Sequence, residues 1–424
     1  MAAQPKGHAF LPLLGMALAR HIRRGRLTVI DWRGRVARFG DPAGEPAVTI
    51  RLRRRWLPLR LALNPGLGAG EAWMSGDLVI VEGDLRGLLA LITGQPRRLR
   101  EPWAIRALVQ ARQAWRRLLG GNTRRLAGRN ARHHYDIGND LYRLFLDEAM
   151  HYSCAYFPHG GETLEAAQAA KVRHIAAKLV LEPGCRVLDI GSGWGGMAIA
   201  LARLAGARVT GVTLAHEQLA LARERAGEAG LADRVEFRLS DYREVAGTFD
   251  RIVSVGMLEH VGHAQYEAYF AKVAQLLDAD GVALIHAIGR SDANGGPDAW
   301  TQRYIFPGGY IPSLSEVLPA IERSGLVATD IEILRLHYAE TLRLWSERFA
   351  EHRAEARAMM GETFCRMWEF YLAGAEMSFR NGALMVFQIQ LAHRKDAVPL
   401  TRDYIAEAES RLVRPARPNL RRAG

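Results

Sequence analysis

Cysteine is scarce in this sequence of 424 residues: there are three, Cys154, Cys185 and Cys365. They lie far apart and form no Cys-x-x-Cys pair, which argues against a disulfide framework and against a zinc site. A reducing compartment is the expected setting. Long apolar runs are missing as well, and none approaches the ~18–20 residues that span a bilayer. The best stretch, Ala9–Ala19, is interrupted by Pro12 and Gly15. As a secretory signal it is badly built, because Ala17-Leu18-Ala19 falls inside the apolar run with no polar segment before it. It reads better as a short amphipathic helix continued by Arg20, Arg23 and Arg24. Internal repeats and low-complexity segments are also lacking.

What is present is positive charge. The net charge is +12, on a chain that is 49% hydrophobic and 24% charged. That composition is ordinary for a globular protein. The excess favours an anionic partner, either nucleic acid or an anionic lipid surface, and charge alone does not choose.

Three zones follow one another. Residues 1–96 hold short strand-like runs, Leu27–Trp32, Arg35–Phe39 and Ala47–Leu52, between turn residues. Glu71–Ile80 and the helical pattern Asp84–Ile92 complete a small α+β domain. Its arginines, Arg51, Arg53, Arg54, Arg55 and Arg60, form either a solvated basic face or a lipid-headgroup surface. Residues 97–132 read as a basic, helical linker. Residues 133–424 alternate strands and helices: Arg186–Ile190, Gly196–Ala205, Arg208–Thr213, His216–Ala229, Val235–Leu239, Arg251–Val255, Gln265–Leu277 and Val282–Ile288. Such alternation predicts an α/β fold with a doubly wound parallel sheet. Val327–Leu334 and Leu384–Ala392 are expected to close it as an antiparallel pair.

The strongest local signal is Leu188-Asp189-Ile190-Gly191-Ser192-Gly193-Trp194-Gly195, a strand running into a glycine-rich turn. Glycines let the backbone approach a ligand and adopt positive φ, and doubly wound sheets bind ligands at the carboxyl ends of their strands. The pattern resembles the first motif of class I methyltransferases, which implies S-adenosylmethionine over the loop. The second strand ends at Thr213-Leu214 without the acidic residue that commonly holds ribose hydroxyls. Gln218 offers both a donor and an acceptor and is the expected replacement. Asp241 and Tyr242, after the third strand, are placed for adenine.

After the fourth strand, the Asn/Asp-Pro-Pro-Tyr pattern of DNA and RNA amino-methyltransferases is absent. Glu259 stands there instead, within Met257-Leu258-Glu259-His260-Val261-Gly262. His286 ends the fifth strand. A carboxylate beside a histidine suits proton handling.

Taken in order, these stretches resemble the cyclopropane-fatty-acyl-phospholipid synthase family. The likeness also includes His134-Tyr135-Asp136-Ile137-Gly138-Asn139, Tyr152-Ser153-Cys154-Ala155-Tyr156-Phe157 and Tyr304-Ile305-Phe306-Pro307-Gly308-Gly309. The resemblance implies methyl transfer from S-adenosylmethionine to the cis double bond of an unsaturated phospholipid chain, with bicarbonate as the base. It implies a bicarbonate cradle of Cys154, Glu259, His286, the Ile288 backbone and Tyr338, and cofactor contacts from Tyr152 and Ser153. Tyr304–Pro312 would flank an acyl tunnel. An alkene is a weak nucleophile, so the methyl donor must be held in line, and the tunnel must exclude water. Cys154 is expected to hydrogen-bond rather than attack. Two positions depart from the family pattern: Ala375 and Ser192 stand where many members have cysteine.

The alternatives are a methyl- or methylene-branched product from the same site, a silent lipid-binding protein, and a basic RNA methyltransferase. Anionic membrane phospholipids are the expected partner, at the cytoplasmic face of the membrane. Monomer and homodimer stay open, as do double-bond position and headgroup.

Overall fold

The computed structural model describes residues 12–95, 138–292 and 298–413. The expected linker at 97–132 and the motif residues before Gly138 lie outside the described residues.

The first stretch builds a four-stranded sheet in the order β2-β1-β3-β4. Its strands are β1 (Arg26–Ile30), β2 (Val36–Gly40), β3 (Ala47–Leu52) and β4 (Leu78–Glu82). Side chains alternate across the pleat, so Leu27 and Val29 of β1, and Val48, Ile50 and Leu52 of β3, are buried on one face. Helices Pro12–His21, Leu57–Leu63, Pro65–Met74 and Leu85–Thr93 complete this N-terminal unit. The first stops short of Arg23 and Arg24.

Two local readings change. The sequence pattern of Leu57–Leu63 shows no helix, yet Pro58 in its first turn, with φ already fixed, starts one. Glu71–Ile80 is two elements, because Gly76 turns the chain at φ 73° between Met74 and Leu78.

The second sheet has seven strands in the order β10-β11-β9-β8-β5-β6-β7. They are β5 (Arg186–Ile190), β6 (Arg208–Thr213), β7 (Val235–Leu239), β8 (Phe249–Val255), β9 (Leu277–Arg290), β10 (Val327–Ile333) and β11 (Leu384–Ala392). Strands β5 to β9 run parallel. β11 inserts antiparallel between β9 and β10. This is the doubly wound α/β fold expected, with its antiparallel edge. Val187 to Ile190 are all buried, the signature of a parallel strand covered on both faces.

Helix Glu362–Arg380 joins the two units, packing on Pro65–Met74 and Leu85–Thr93. Arg86 reaches buried Glu376 at 2.5 Å, and Asn381 reaches Thr93 at 2.9 Å. Arg366 lies over the Trp73 ring at 5.6 Å.

Candidate active site

Strand β5 delivers the chain to Gly191, Gly193 and Gly195, whose φ values are 85°, 53° and 81°. A side chain is strained in that region, so this turn needs glycine. It opens onto a cavity of about 190 Å³. Tyr152, Ser153, Asp189, Gly191, Ser192, Gly193, Trp194, Thr213, Leu214, Gln218, Asp241 and Tyr242 all line it. Gly195 does not. It faces Phe237, whose ring would lie 2.6 Å from a Cβ at that position. Its role is close packing at the start of helix Gly196–Ala205.

The polar groups of this cavity are arranged by their neighbours. Thr213 Oγ1 donates to Gln218 Oε1 at 3.0 Å, which fixes the amide at the strand end. Asp241 accepts two bonds from the Arg243 guanidinium, at 2.8 and 2.7 Å. The buried Asp189 carboxyl is raised by desolvation, opposed by the Lys171 ammonium, and its Oδ2 has no partner.

A second, larger cavity of about 820 Å³ is lined by Cys154, Glu259, His286, Ile288 and Tyr338, all five residues of the expected cradle. Both cavities touch Tyr152, Ser153, Gly256 and His260, so the smaller cavity adjoins the larger space there.

The short helix Leu258–Val261 aims Glu259 at β9. Glu259 Oε1 accepts from the Ile288 N–H at 2.6 Å, and Oε2 has no partner. Burial raises this carboxyl to about 7, against the pull of those backbone donors. The Ile288 N–H is therefore already engaged.

His286 sits beside Gln388, whose Nε2 lies 3.2 Å from its Nδ1. The amide donates, which leaves the ring proton on Nε2. Burial, then the charges of Lys171, Lys178 and His174, push His286 down to about 3. Near neutral pH it is an uncharged imidazole with its Nε2–H available to donate. Burial likewise drives the Cys154 thiol far above its ordinary range, and it donates to the Ala155 carbonyl at 3.2 Å. It is a neutral thiol rather than a nucleophile. Tyr338 is buried between Trp345 and Phe379.

Phe306, Gly309, Tyr310 and Ile311 line the larger cavity, as expected of the Tyr304–Pro312 segment. Ala375 lines it too, next to Tyr371, whose hydroxyl is 2.9 Å from that of Tyr152.

Sequence reasoning missed one charged group in the cofactor cavity. Lys171 is fully buried, lines that cavity and donates to Ser153 Oγ at 3.0 Å. Gln168, one turn earlier, donates to the Ser153 carbonyl at 3.0 Å. The available signal was a lysine and a glutamine spaced i, i+3 in an alanine-rich helix with no separate polar face.

Comparisons with known proteins show the family. The family described as mycolic acid cyclopropane synthetase matches residues 122–389. A tuberculostearic acid methyltransferase of Mycobacterium tuberculosis is 38% identical over 92% of this chain and 93% of its own. The cyclopropane-fatty-acyl-phospholipid synthase of Escherichia coli is 37% identical over 82% of this chain and 88% of its own. Among solved structures, a mycolic acid cyclopropane synthase complexed with SAH and CTAB aligns with TM-score 0.60 and 34% identity, over 62% of this chain and 97% of that one. The chain belongs to the cyclopropane-fatty-acyl-phospholipid and mycolic acid cyclopropane synthase family, and it is an S-adenosylmethionine-dependent methyltransferase.

Proposed function

We propose that this enzyme methylates the cis double bond of an unsaturated acyl chain in a membrane phospholipid and closes a cyclopropane ring, with a bound bicarbonate as base. The observation that carries this reading is the meeting of the two cavities at Tyr152 and Ser153. A small site for the methyl donor, with a larger polar share in its wall, opens there into a large apolar cavity.

Bicarbonate fits the residues beside that opening. Glu259 Oε2 is buried without a partner and is disposed to accept from a hydroxyl. His286 Nε2–H and the Tyr338 hydroxyl are neutral donors suited to an anion, and the Cys154 thiol, whose proton goes to the Ala155 carbonyl, lines the same space. S-adenosylmethionine supplies an electrophilic methyl when bound, and bicarbonate supplies the proton acceptor. The chain's own work is to position and to exclude water. Tyr152 and Ser153 hold the junction, Gln218 and Asp241 orient the nucleoside, and Glu259 orients the base. Aromatic residues around the junction, Tyr152, Phe306 and Tyr371, keep the reacting carbon dry and face it with π density.

The test is incubation with S-adenosylmethionine and unsaturated phospholipid vesicles, followed by mass analysis of fatty-acid methyl esters. A chain heavier by one CH₂ that resists hydrogenation is the expected cyclopropane. Unmodified chains would overturn the reading. A second reading, a methyl-branched product, is favoured by the 92% coverage of this chain by the tuberculostearic acid methyltransferase match. It predicts the same added mass with a methylene branch in the fragment spectrum, or a mass greater by two further hydrogens where a separate hydride donor reduces that methylene to a methyl branch.

A further inference from the structure

The wall of the larger cavity is shared between the two units. Leu27, Val29, Ile50, Leu52 and Leu78, from strands of the N-terminal sheet, line the same space as Glu259 and Tyr338. Helix Pro12–His21 divides its side chains accordingly. Leu14, Ala17, Leu18 and His21, spaced i, i+3, i+4, i+7, line the cavity, whereas Leu13 and Met16 are 49% and 54% exposed. Helix Leu57–Leu63, packed against it, repeats the pattern. Leu61 and Ala62 line the cavity, while Leu59 and Leu63 are 50% and 72% exposed.

Exposed large apolar side chains on adjacent elements mark a contact surface. Here they stand outside an apolar interior and beside the exposed arginines Arg20, Arg23, Arg24, Arg53 and Arg55. Apolar side chains ringed by cations fit the headgroup and acyl boundary of an anionic leaflet.

The two parts of the wall are locked together. Gly70 lets helix Pro65–Met74 press on Trp300, a cavity-lining residue: a Cβ there would fall 2.3 Å from the indole nitrogen. Glu71 accepts from the Tyr304 hydroxyl at 2.8 Å and from Arg303 at 3.2 Å. The N-terminal unit is thus fixed to the segment that flanks the reaction site.

We propose that the acyl chain enters between helices Pro12–His21 and Leu57–Leu63 and reaches Glu259 through the interior of the N-terminal unit. The inference rests on the lipid-methylation reading above. The family match begins at residue 122, so this entry is built from residues outside it. The length of the path fixes how many carbons separate the headgroup ester from the reacting double bond. The N-terminal unit thereby selects double-bond position.

The test uses Ala17→Phe, Ala62→Phe and Ala69→Phe in the full chain. All three residues line the cavity and none is buried, so the added ring enters open space rather than packed core. Vesicles of dioleoyl phosphatidylglycerol carrying a trace of a parinaroyl phospholipid report chain uptake by fluorescence, independently of turnover. The expected result is at least a tenfold fall in both uptake and kcat/KM, with melting temperature, vesicle binding and S-adenosylhomocysteine affinity within twofold of wild type. A narrowed path is also expected to change the ratio of products from Δ9 and Δ11 chains. Equal uptake by wild type and all three variants would overturn the entry route. Uptake that is blocked by the variants, with no methylated product even from wild type, would instead overturn the lipid-methylation reading and leave the route standing.

Discussion

Glu259 shows how the site sets stability against chemistry. Its carboxyl titrates near 4.5 when unfolded and near 7 when folded, because burial disfavours the charge. Between those values the folded state binds more protons than the unfolded state, so stability falls as pH rises. The penalty is absent below about pH 4.5 and complete above about pH 7; at ~1.4 kcal/mol for each pH unit between the two values it amounts to a few kcal/mol. Glu259→Gln is therefore expected to melt several degrees higher than wild type at pH 8 and to lose that advantage at pH 4.5, by calorimetry. Its turnover should fall to near nothing while S-adenosylhomocysteine affinity stays within a few-fold. His286→Ala should behave the same way in turnover and affinity. Cofactor affinity that collapses with activity in either variant would remove these residues from the base site. Ala375 makes the opposite case. It lines the channel rather than the Glu259–His286 cradle, so Ala375→Cys should leave product formation within a few-fold of wild type. A tenfold gain would mean that the natural alanine limits this enzyme.

At the scale of elements, the sequence is most legible where glycine bounds a short apolar run. β5, helix Gly196–Ala205, β6, β7 and β11 stand where the pattern puts them. Less legible is β9, which begins at Leu277 directly after helix Tyr266–Leu276. Asp278-Ala279-Asp280-Gly281 looks like a loop in sequence, and pairing to β8 and β11 draws its end into the strand. Helix Leu164–Lys178 escapes a pattern-based reading altogether. It buries Gln168, Lys171, His174 and Lys178, and periodicity weighs such residues as exposed. Alanines on every side keep the helix thin, so tertiary neighbours satisfy those polar ends. His174 lies between Glu332 and Glu409, and Lys178 against Glu332. The candidate site is legible in residue type, while its proton states depend on burial that no local pattern carries. Lys171 yields a prediction of its own. A zwitterionic cofactor tail needs a cation, and Arg243 of the same cavity is already held by Asp241. Lys171→Met should weaken S-adenosylhomocysteine binding about tenfold to a hundredfold, the worth of a charged hydrogen bond. Methylthioadenosine, which lacks the amino-acid tail, should bind as before. An equal loss for both ligands would make Lys171 a structural prop.

For the whole molecule, the phospholipid substrate proposed above poses the question of how the protein meets a bilayer. Among the described residues no helix is long and apolar enough to cross a membrane, and the proposal puts the contact at the membrane surface. On that proposal the net charge of +12 supplies long-range attraction to an anionic leaflet, and the exposed side chains of helices Pro12–His21 and Leu57–Leu63 supply short-range insertion. Simple truncation of the N-terminal unit is a poor test of this division, because its residues also wall the channel. Charge reversal separates the two effects. Arg20→Glu, Arg23→Glu and Arg24→Glu together leave the cavity lining nearly untouched, since of these Arg20 alone lines it. With about 1 kcal/mol from each basic residue near an anionic surface, the triple variant should bind phosphatidylglycerol vesicles at least a hundredfold more weakly in sedimentation. Phosphatidylcholine binding should hardly change. Wild-type binding to the anionic vesicles should fall as salt shortens the screening length below ~10 Å, and the variant should show a shallower salt dependence. Replacing Leu13 and Met16 by serine should weaken binding to both lipids without altering that salt slope. Binding by wild type and the charge-reversed protein that is equal, and indifferent to both salt and headgroup, would return these arginines to a solvated face and leave the apolar side chains as the whole of the membrane contact.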